Sequence, residues 1–142
     1  MNKVSGSLHL TKKVDYGLFL LAILADKNSP AKLSIKTIAE KSHISFPFLQ
    51  KVARLLQKAK IIHAERGKYG GYSLKKKAEK LNLLEIIEAL DGPIALTSCM
   101  KKGATKDICE RIGFCKIRKG LCRINEKIQK EFLSKSLTDI IE

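Results

Sequence analysis

The sequence has 142 residues, of which 44% are hydrophobic, so the chain can build one domain with a buried core. No apolar run reaches the roughly 18 residues that cross a membrane, and the first residues lack the apolar region of a secretory signal. A formal net charge of +14 indicates a polyanionic partner, and we expect a cytoplasmic protein whose cysteines are reduced.

The positive charge is concentrated in the first part of the chain. Residues 1–80 carry 17 Lys and Arg against 5 Asp and Glu, a net charge of +12, whereas residues 81–142 carry 11 against 9, a net charge of +2. A basic half joined to a nearly neutral half predicts that the first half binds nucleic acid. The alternative is that lysine serves only as a solubilising surface residue.

The first predicted helix spans roughly residues 12–26, with Thr11 as its N-cap. Apolar residues occur nearly all round it, which predicts a central, buried helix. Asp15 falls in its first turns, where a carboxylate favours the positive end of the helix dipole.

Two short helices joined by a turn follow this first helix. Ser34 is placed to cap one helix, and Ser45 to cap a second that runs to about Lys58, with Pro47 in its first turn. The spacing of small and apolar residues predicts a helix-turn-helix. His43 occupies the turn position where glycine is frequent, and histidine tolerates left-handed backbone better than most residues.

The second of these helices has an inward apolar stripe and an outward polar face. A recognition helix reads base edges from its N-terminal residues and anchors phosphates with nearby cations. The alternative is an ordinary amphipathic helix with a solvated face. The candidates for DNA contact on this helix are Ser45, Pro47, Phe48, Gln50, Lys51 and Arg54.

Residues 61–66 and 72–74 read as two strands joined by the glycine-rich turn 67–71. A hairpin directly after a helix-turn-helix predicts a winged helix. The predicted DNA contacts on this wing are Arg66, Lys68 and Tyr69, because an arginine on a narrow hairpin can enter the minor groove. A phosphate-binding glycine loop is the weaker reading, since no helix start or Gly-Lys-Ser/Thr sequence follows.

The remainder of the chain predicts two further helices. Asn82 to Glu85 reads as a capping box that opens a helix ended by Asp91-Gly92-Pro93. From about Lys116 a narrow apolar seam recurs at helical spacing, which suits a helix pair between two subunits or packing against its own domain. The seam comprises Ile117, Leu121, Ile124, Ile128 and Phe132.

The sequence therefore predicts a mostly α-helical fold with a small β-hairpin, and a homodimer. Its predicted parts are a winged helix-turn-helix DNA-binding domain over residues 1–92, a cysteine-bearing loop over 93–115, and a dimerisation helix with a C-terminal turn over 116–142.

All the cysteines lie between residues 99 and 122, in a polar segment that cannot bury enough surface to order itself. They are Cys99, Cys109, Cys115 and Cys122. Thiolates converging on iron or zinc would hold such a segment. Zinc fits less well, because the segment has no CxxC pair and no nearby histidine.

The order of these parts resembles regulators of the IscR/NsrR type, the Rrf-two family, over roughly residues 10–141. The motifs that carry the resemblance are residues 10–16 (Leu-Thr-Lys-Lys-Val-Asp-Tyr), the helix-turn-helix, residues 66–72, Cys109-x5-Cys115 and residues 136–140. The resemblance implies a dimer of winged helices on double-stranded promoter DNA. It also implies an iron–sulfur cluster, 2Fe–2S or 4Fe–4S, whose state sets DNA affinity.

Residue by residue, Cys109 and Cys115 match the second and third cluster cysteines of that family. Cys99 matches the first, although its gap to Cys109 is longer, and a loop insertion is cheap in closure entropy. IscR-like members have a histidine ligand where this chain has Arg118. NsrR-like members use an aspartate of the other subunit at the position of Asp15. Cys122 has no counterpart and is read as a small buried hydrophobe or as an alternative fourth ligand.

A second hypothesis keeps the DNA binding and replaces the cluster with thiol oxidation, since Lys116 and Arg118 would favour the thiolate of Cys115. We expect no enzymatic activity, because the histidines lie far from the cysteines along the chain and no acid–base constellation is present. An RNA-binding adaptor is disfavoured by the wing, because RNA readers usually present aromatic stacking platforms.

Overall fold

The structure, a computed structural model, describes residues 8–141 of the chain. Within that range it has five α-helices and one antiparallel hairpin, together with three short 3-10 turns. The elements are α1 (Lys12–Ala25), α2 (Ile35–Ser42), α3 (Phe46–Lys58), β1 (Ile62–Glu65), β2 (Gly71–Leu74), α4 (Leu83–Asp91) and α5 (Arg118–Ser134). The predicted mostly α-helical fold with a small hairpin is confirmed.

Side-chain caps begin the helices where the sequence predicts. Thr11 Oγ1 accepts a hydrogen bond from Val14 N at 3.3 Å, and Asn82 Oδ1 accepts one from Glu85 N at 2.8 Å. Each bond satisfies a backbone donor that the first turn leaves free. The predicted capping box is wrong in its second half, because the Glu85 carboxylate accepts a hydrogen bond from Lys76 instead of the Asn82 backbone.

The core lies where α1, α3 and α4 pack against one another. Gly17 allows α1 to approach α4 closely, since a Cβ there would lie 2.4 Å from Leu90 Cδ1. The expectation that α1 is buried nearly all round is wrong on one face, where Phe19 is 42% exposed. The largest fully buried side chains are Leu20, Leu21, Leu49, Leu56, Ile61, Ile62, Leu81, Ile86, Leu137, Val14 and Val52.

The hairpin is joined to the helices by a third stretch of extended chain. β1 pairs with β2 in the register Ile62 to Leu74 through Glu65 to Gly71. Leu33, in the loop before α2, exchanges two backbone hydrogen bonds with Tyr72, at 3.0 and 2.8 Å. Gly71 has φ +146°, and a Cβ there would lie 2.8 Å from the Leu33 carbonyl oxygen, so this junction requires glycine.

Helix α5 packs on α4 along one side only. The predicted apolar seam is divided: Leu121, Ile128 and Phe132 are half-buried, whereas Ile117 and Ile124 are exposed, by 66% and 50%. Asn125 is the one residue of α5 that is buried. An apolar face of α5 therefore stays in solvent in the single chain.

The end of the chain returns to the helical core. Leu137 N donates to the Leu81 carbonyl at 2.8 Å, Leu83 N donates to the Lys135 carbonyl at 2.8 Å, and the Leu137 side chain is completely buried. The Ser136 backbone N–H and hydroxyl donate to the Asp139 carboxylate and hold the pKa of that group below its usual range. The division into three parts stays a prediction, with the last part contributing to the core of the first.

None of the helices in residues 8–141 combines the length and the apolar character that crossing a membrane requires.

We expect Leu137→Ala to lower the free energy of unfolding by about 2–5 kcal/mol, because it removes a fully buried side chain and leaves a cavity. The measurement is urea denaturation followed by circular dichroism at a fixed protein concentration. Leu8→Ala is the matched control, since Leu8 is 77% exposed and its removal should change stability by less than about 0.5 kcal/mol. Equal stability of the two variants would contradict the buried position of Leu137.

Candidate nucleic-acid interface and cysteine segment

The turn between α2 and α3 adopts the geometry of a helix-turn-helix. Ser34 Oγ accepts from Thr37 N and Ser45 Oγ accepts from Phe48 N, each at 3.5 Å, so both helices begin at their predicted caps. His43 ends α2 in the left-handed region, with φ 57° and ψ 30°. The expectation that histidine takes the glycine position of the turn is confirmed.

Helix α3 buries one face and presents cations on the other. Leu49, Val52 and Leu56 are completely buried, whereas Lys51 and Arg54 are exposed and Gln50 is half-buried. Residues 41–64 contain five Lys and Arg and no Asp or Glu. The outward face of α3 therefore carries positive charge that no acidic side chain of the same segment offsets.

The first turn of α3 holds two phenylalanines with different surroundings. Phe48 is half-buried, packs against the core, and meets the Tyr16 ring edge to face at a centroid distance of 5.4 Å. Phe46 is 41% exposed. Sequence reasoning named Phe48 as a candidate and missed Phe46. The signal was present, because Phe48 lies four residues before the buried Val52 and so shares its helical face.

The hairpin presents its loop to solvent as a wing. Arg66, Lys68 and Tyr69 are all exposed, Tyr69 by 83%, and the Lys68 ammonium lies 5.7 Å from the centre of the Tyr69 ring. Gly67 has φ +110°, and a Cβ on Gly70 would lie 2.2 Å from the Glu65 carbonyl oxygen. These glycines let the turn close tightly behind the three exposed side chains.

The base of the wing is neutralised locally. Lys32 donates to the Glu65 carboxylate, and this hydrogen bond lowers the pKa of Glu65. Glu65, the one acidic residue of the hairpin, is therefore paired with Lys32 in the loop before α2. Arg66 and Lys68 lie beyond this pair, in the exposed turn.

The start of the cysteine segment is fixed to α5 by side-chain amides. Asn125 Oδ1 accepts from Leu96 N at 2.9 Å, and Asn125 Nδ2 donates to the Ile94 carbonyl at 3.1 Å. Gln129 Nε2 donates to the same carbonyl at 3.1 Å. Asn125 thereby meets both a donor and an acceptor of the irregular backbone that leads to Cys99, which explains why the buried residue of α5 is polar.

Cys99 has a polar environment that favours its thiolate. The Thr97 hydroxyl lies 3.1 Å from the Cys99 sulfur, and Arg118 Nη2 donates to the Cys99 carbonyl at 3.4 Å. The Thr97 hydroxyl is the main cause that lowers the pKa of this thiol, and Arg118 acts in the same direction. Arg118, which the sequence placed beside Cys115, contacts Cys99 in the structure.

The predicted ligands do not converge within the described part of the single chain. Cys99, Cys109, Cys115 and Cys122 are free thiols, each half-buried, and Asp15 is exposed in the first turn of α1. Within residues 8–141, no three His, Cys, Asp or Glu side chains lie close enough together to hold a metal ion. Thiolates are the donors that iron–sulfur clusters use, so the donor set fits in kind, and its assembly would require segment 101–117 to move.

Comparison with known proteins matches this architecture. The model of the Rrf2 family, described as iron-dependent transcriptional regulators, matches residues 10–142. An Rrf2-like HTH-type transcriptional regulator of Rhodobacter capsulatus is 36% identical over 115 residues, which cover 78% of this chain and 77% of that protein.

Solved structures agree in fold over most of the chain. CymR of Bacillus subtilis, described as its global cysteine regulator, gives a TM-score of 0.71 at 26% identity, covering 94% of this chain and 95% of that one. T. potens IscR gives a TM-score of 0.71 at 24% identity, covering 94% and 86%, which is a likeness of fold alone. With the winged helix-turn-helix and the family match over nearly its whole length, the chain belongs to the Rrf2 family of transcriptional regulators.

Proposed function

We propose that this transcriptional regulator binds promoter DNA as a homodimer, with α3 in the major groove and the wing in the adjacent minor groove. The observation that carries the proposal is the exposed, cationic face of α3 beside the projecting Arg66 and Lys68. Cations at such positions bind phosphates, and an arginine on a narrow wing suits the negative potential of the minor groove. Of the residues that the sequence singled out on α3, base contacts fall to Ser45, Pro47, Gln50 and Lys51, with Arg54 and Tyr69 beside them, whereas Phe48 packs on the core.

Dimer formation through α5 is supported by the apolar side chains that the single chain leaves in solvent. Ile117 and Ile124 are 66% and 50% exposed, and their spacing of seven residues places them on one face at the beginning of α5. A second copy of α5 would cover them by a two-fold arrangement. Two DNA-binding domains joined by their paired α5 helices would then bind the two half-sites of an operator.

We further propose that an iron–sulfur cluster held by Cys99, Cys109 and Cys115 controls this binding. Supporting it are the iron-dependent description of the family and the three thiols on one irregular segment. When bound, the cluster would supply an iron centre that responds to redox state, nitric oxide or iron–sulfur status. Ligation would draw segment 101–117 together next to the Asn125 and Arg118 contacts on α5. Asp15 of the other protomer, or Cys122, would be the fourth ligand.

Cys99 in its Thr97 and Arg118 environment supports a second candidate, a regulator without a cluster that senses thiol oxidation. A thiolate is the form that attacks an oxidant: peroxide would convert the Cys99 thiolate to a sulfenic acid and would itself be reduced to hydroxide. The likeness in fold to CymR, which is described as the global cysteine regulator of Bacillus subtilis, supports this candidate.

For the DNA interface, we expect Arg66→Ala to weaken operator binding by about 1–3 kcal/mol without changing iron content. Fluorescence anisotropy at fixed salt measures the affinity. Arg123→Ala is the control, because Arg123 is an equally charged and exposed residue on α5 and its loss should leave affinity unchanged. Equal losses in the two variants would mean that the wing makes no specific contact.

For the cluster, we expect Cys109→Ala to lose the visible absorbance, iron and sulfide of anaerobically purified protein, because it removes one of the three proposed thiolate ligands. The same assays on Asp15→Ala and Cys122→Ala identify the fourth ligand as the residue whose removal destabilises the cluster. Colourless, iron-free wild-type protein would reject the cluster and leave the thiol mechanism. Unchanged operator affinity after removal of iron at matched salt would reject cluster control.

For the thiol environment, we expect iodoacetamide to alkylate Cys99 of the iron-free protein with a pH midpoint below that of the same cysteine in urea. The reagent attacks the thiolate, and the folded protein favours that form by lowering the pKa. Peptide-resolved mass spectrometry follows the reaction at each pH. Thr97→Val keeps the side-chain shape and removes the hydroxyl, so it should raise the midpoint; no change would contradict the Thr97 contact.

A further inference from the structure

We propose that Phe46 determines part of the operator sequence by packing its ring against the methyl group of a thymine in the major groove. This inference rests on the proposed DNA binding by α3 and assigns a base-reading role to a residue that the sequence patterns did not single out. It also separates the two phenylalanines of the first turn, giving one to the protein interior and the other to DNA.

The position of Phe46 makes its ring available to a base. It is the first residue of α3, and the N-terminal residues of a recognition helix are those that reach base edges. Phe46 is 41% exposed and is not among the residues of the hydrophobic core, whereas Phe48 packs on Tyr16 and the core. The exposed ring borders a shallow cleft between α2 and α3, whose other lining residues are Lys36, Ala39, Glu40 and Ile44.

The residues next to Phe46 offer few polar groups to a base, so the Phe46 ring provides the main contact surface at this end of α3. Pro47 has no backbone N–H to offer a base, and Ser45, whose Oγ accepts from Phe48 N, keeps a single hydroxyl donor. The cations Lys51 and Arg54 lie one to two turns further along α3, away from the position of Phe46. The first turn of α3 therefore has few groups that can form hydrogen bonds with bases, and its largest exposed surface is the apolar ring of Phe46.

Base chemistry identifies the partner of such a surface. In the major groove the base edges present hydrogen-bond donors and acceptors, and thymine adds a C5 methyl group. That methyl is the apolar group with which an aromatic ring can exclude water. Burying one methyl changes affinity by about fourfold, so the contact would be visible as a preference at one base pair of each half-site.

The test is a double-mutant cycle that combines removal of the Phe46 ring with removal of one thymine methyl group. An operator is first obtained by selecting wild-type binders from random duplexes, and each thymine of a half-site is then replaced in turn by deoxyuridine, which lacks only the methyl. We expect one replacement to weaken wild-type binding about fourfold in anisotropy titrations at fixed salt. Phe46→Ala should bind the thymine and uracil duplexes equally well at that position, and Phe46→Leu should retain part of the difference.

Phe19→Ala is the matched control, because Phe19 is 42% exposed against 41% for Phe46 and lies on α1 instead of α3. It should keep the full thymine-to-uracil ratio. A loss of folding or dimer formation lowers affinity for both duplexes alike, so the ratio is unaffected by it. The inference is overturned if no thymine of the half-site is sensitive in the wild type, or if Phe46→Ala keeps the wild-type ratio. Wild-type protein that selects no duplex would instead overturn the proposed function itself.

Discussion

Burial of one face of α3 is the constraint on which the rest of the structure depends. Leu49, Val52 and Leu56 are withdrawn completely from water between α1 and α4. Each such side chain contributes about 1.5–3 kcal/mol relative to exposure, so the rotation of α3 about its own axis is strongly fixed. Lys51 and Arg54 lie on the side of α3 away from this apolar face, so burial of the apolar face also turns these two cations toward solvent.

The wing has its position fixed by backbone hydrogen bonds as well as by burial of the Ile62 side chain in the core. A two-stranded hairpin is marginal in water by itself, and here β2 gains a second partner in Leu33. The absence of a side chain at Gly71 permits this approach, and the Lys32 hydrogen bond to Glu65 adds a connection at the same edge. The arginine and lysine beyond this junction stay exposed to solvent.

The cysteine segment is connected to the helices at its two ends and is irregular between them. Asn125 and Gln129 hold its first residues, and Arg118 links Cys99 to the beginning of α5. The residues from 101 to 117 have only local turns. A chemical change at the thiols would therefore act directly on α5, the helix whose exposed apolar side chains suit a second copy. Through α5, either proposed sensor, the cluster or the thiol, could therefore change how the two DNA-binding domains of a dimer are positioned.

The sequence by itself determined the elements and their order, because caps, turns and helical periodicity are local properties. Thr11, Ser34, Ser45 and Asn82 each begin a helix where predicted, and His43 takes the left-handed turn. Only the tertiary structure decided that Glu85 pairs with Lys76 and that Arg118 lies against Cys99. It also placed Leu137 in the core of the head, more than 40 residues beyond α4. These outcomes depend on which surfaces meet across the chain, and local sequence patterns carry no information about contacts between distant segments.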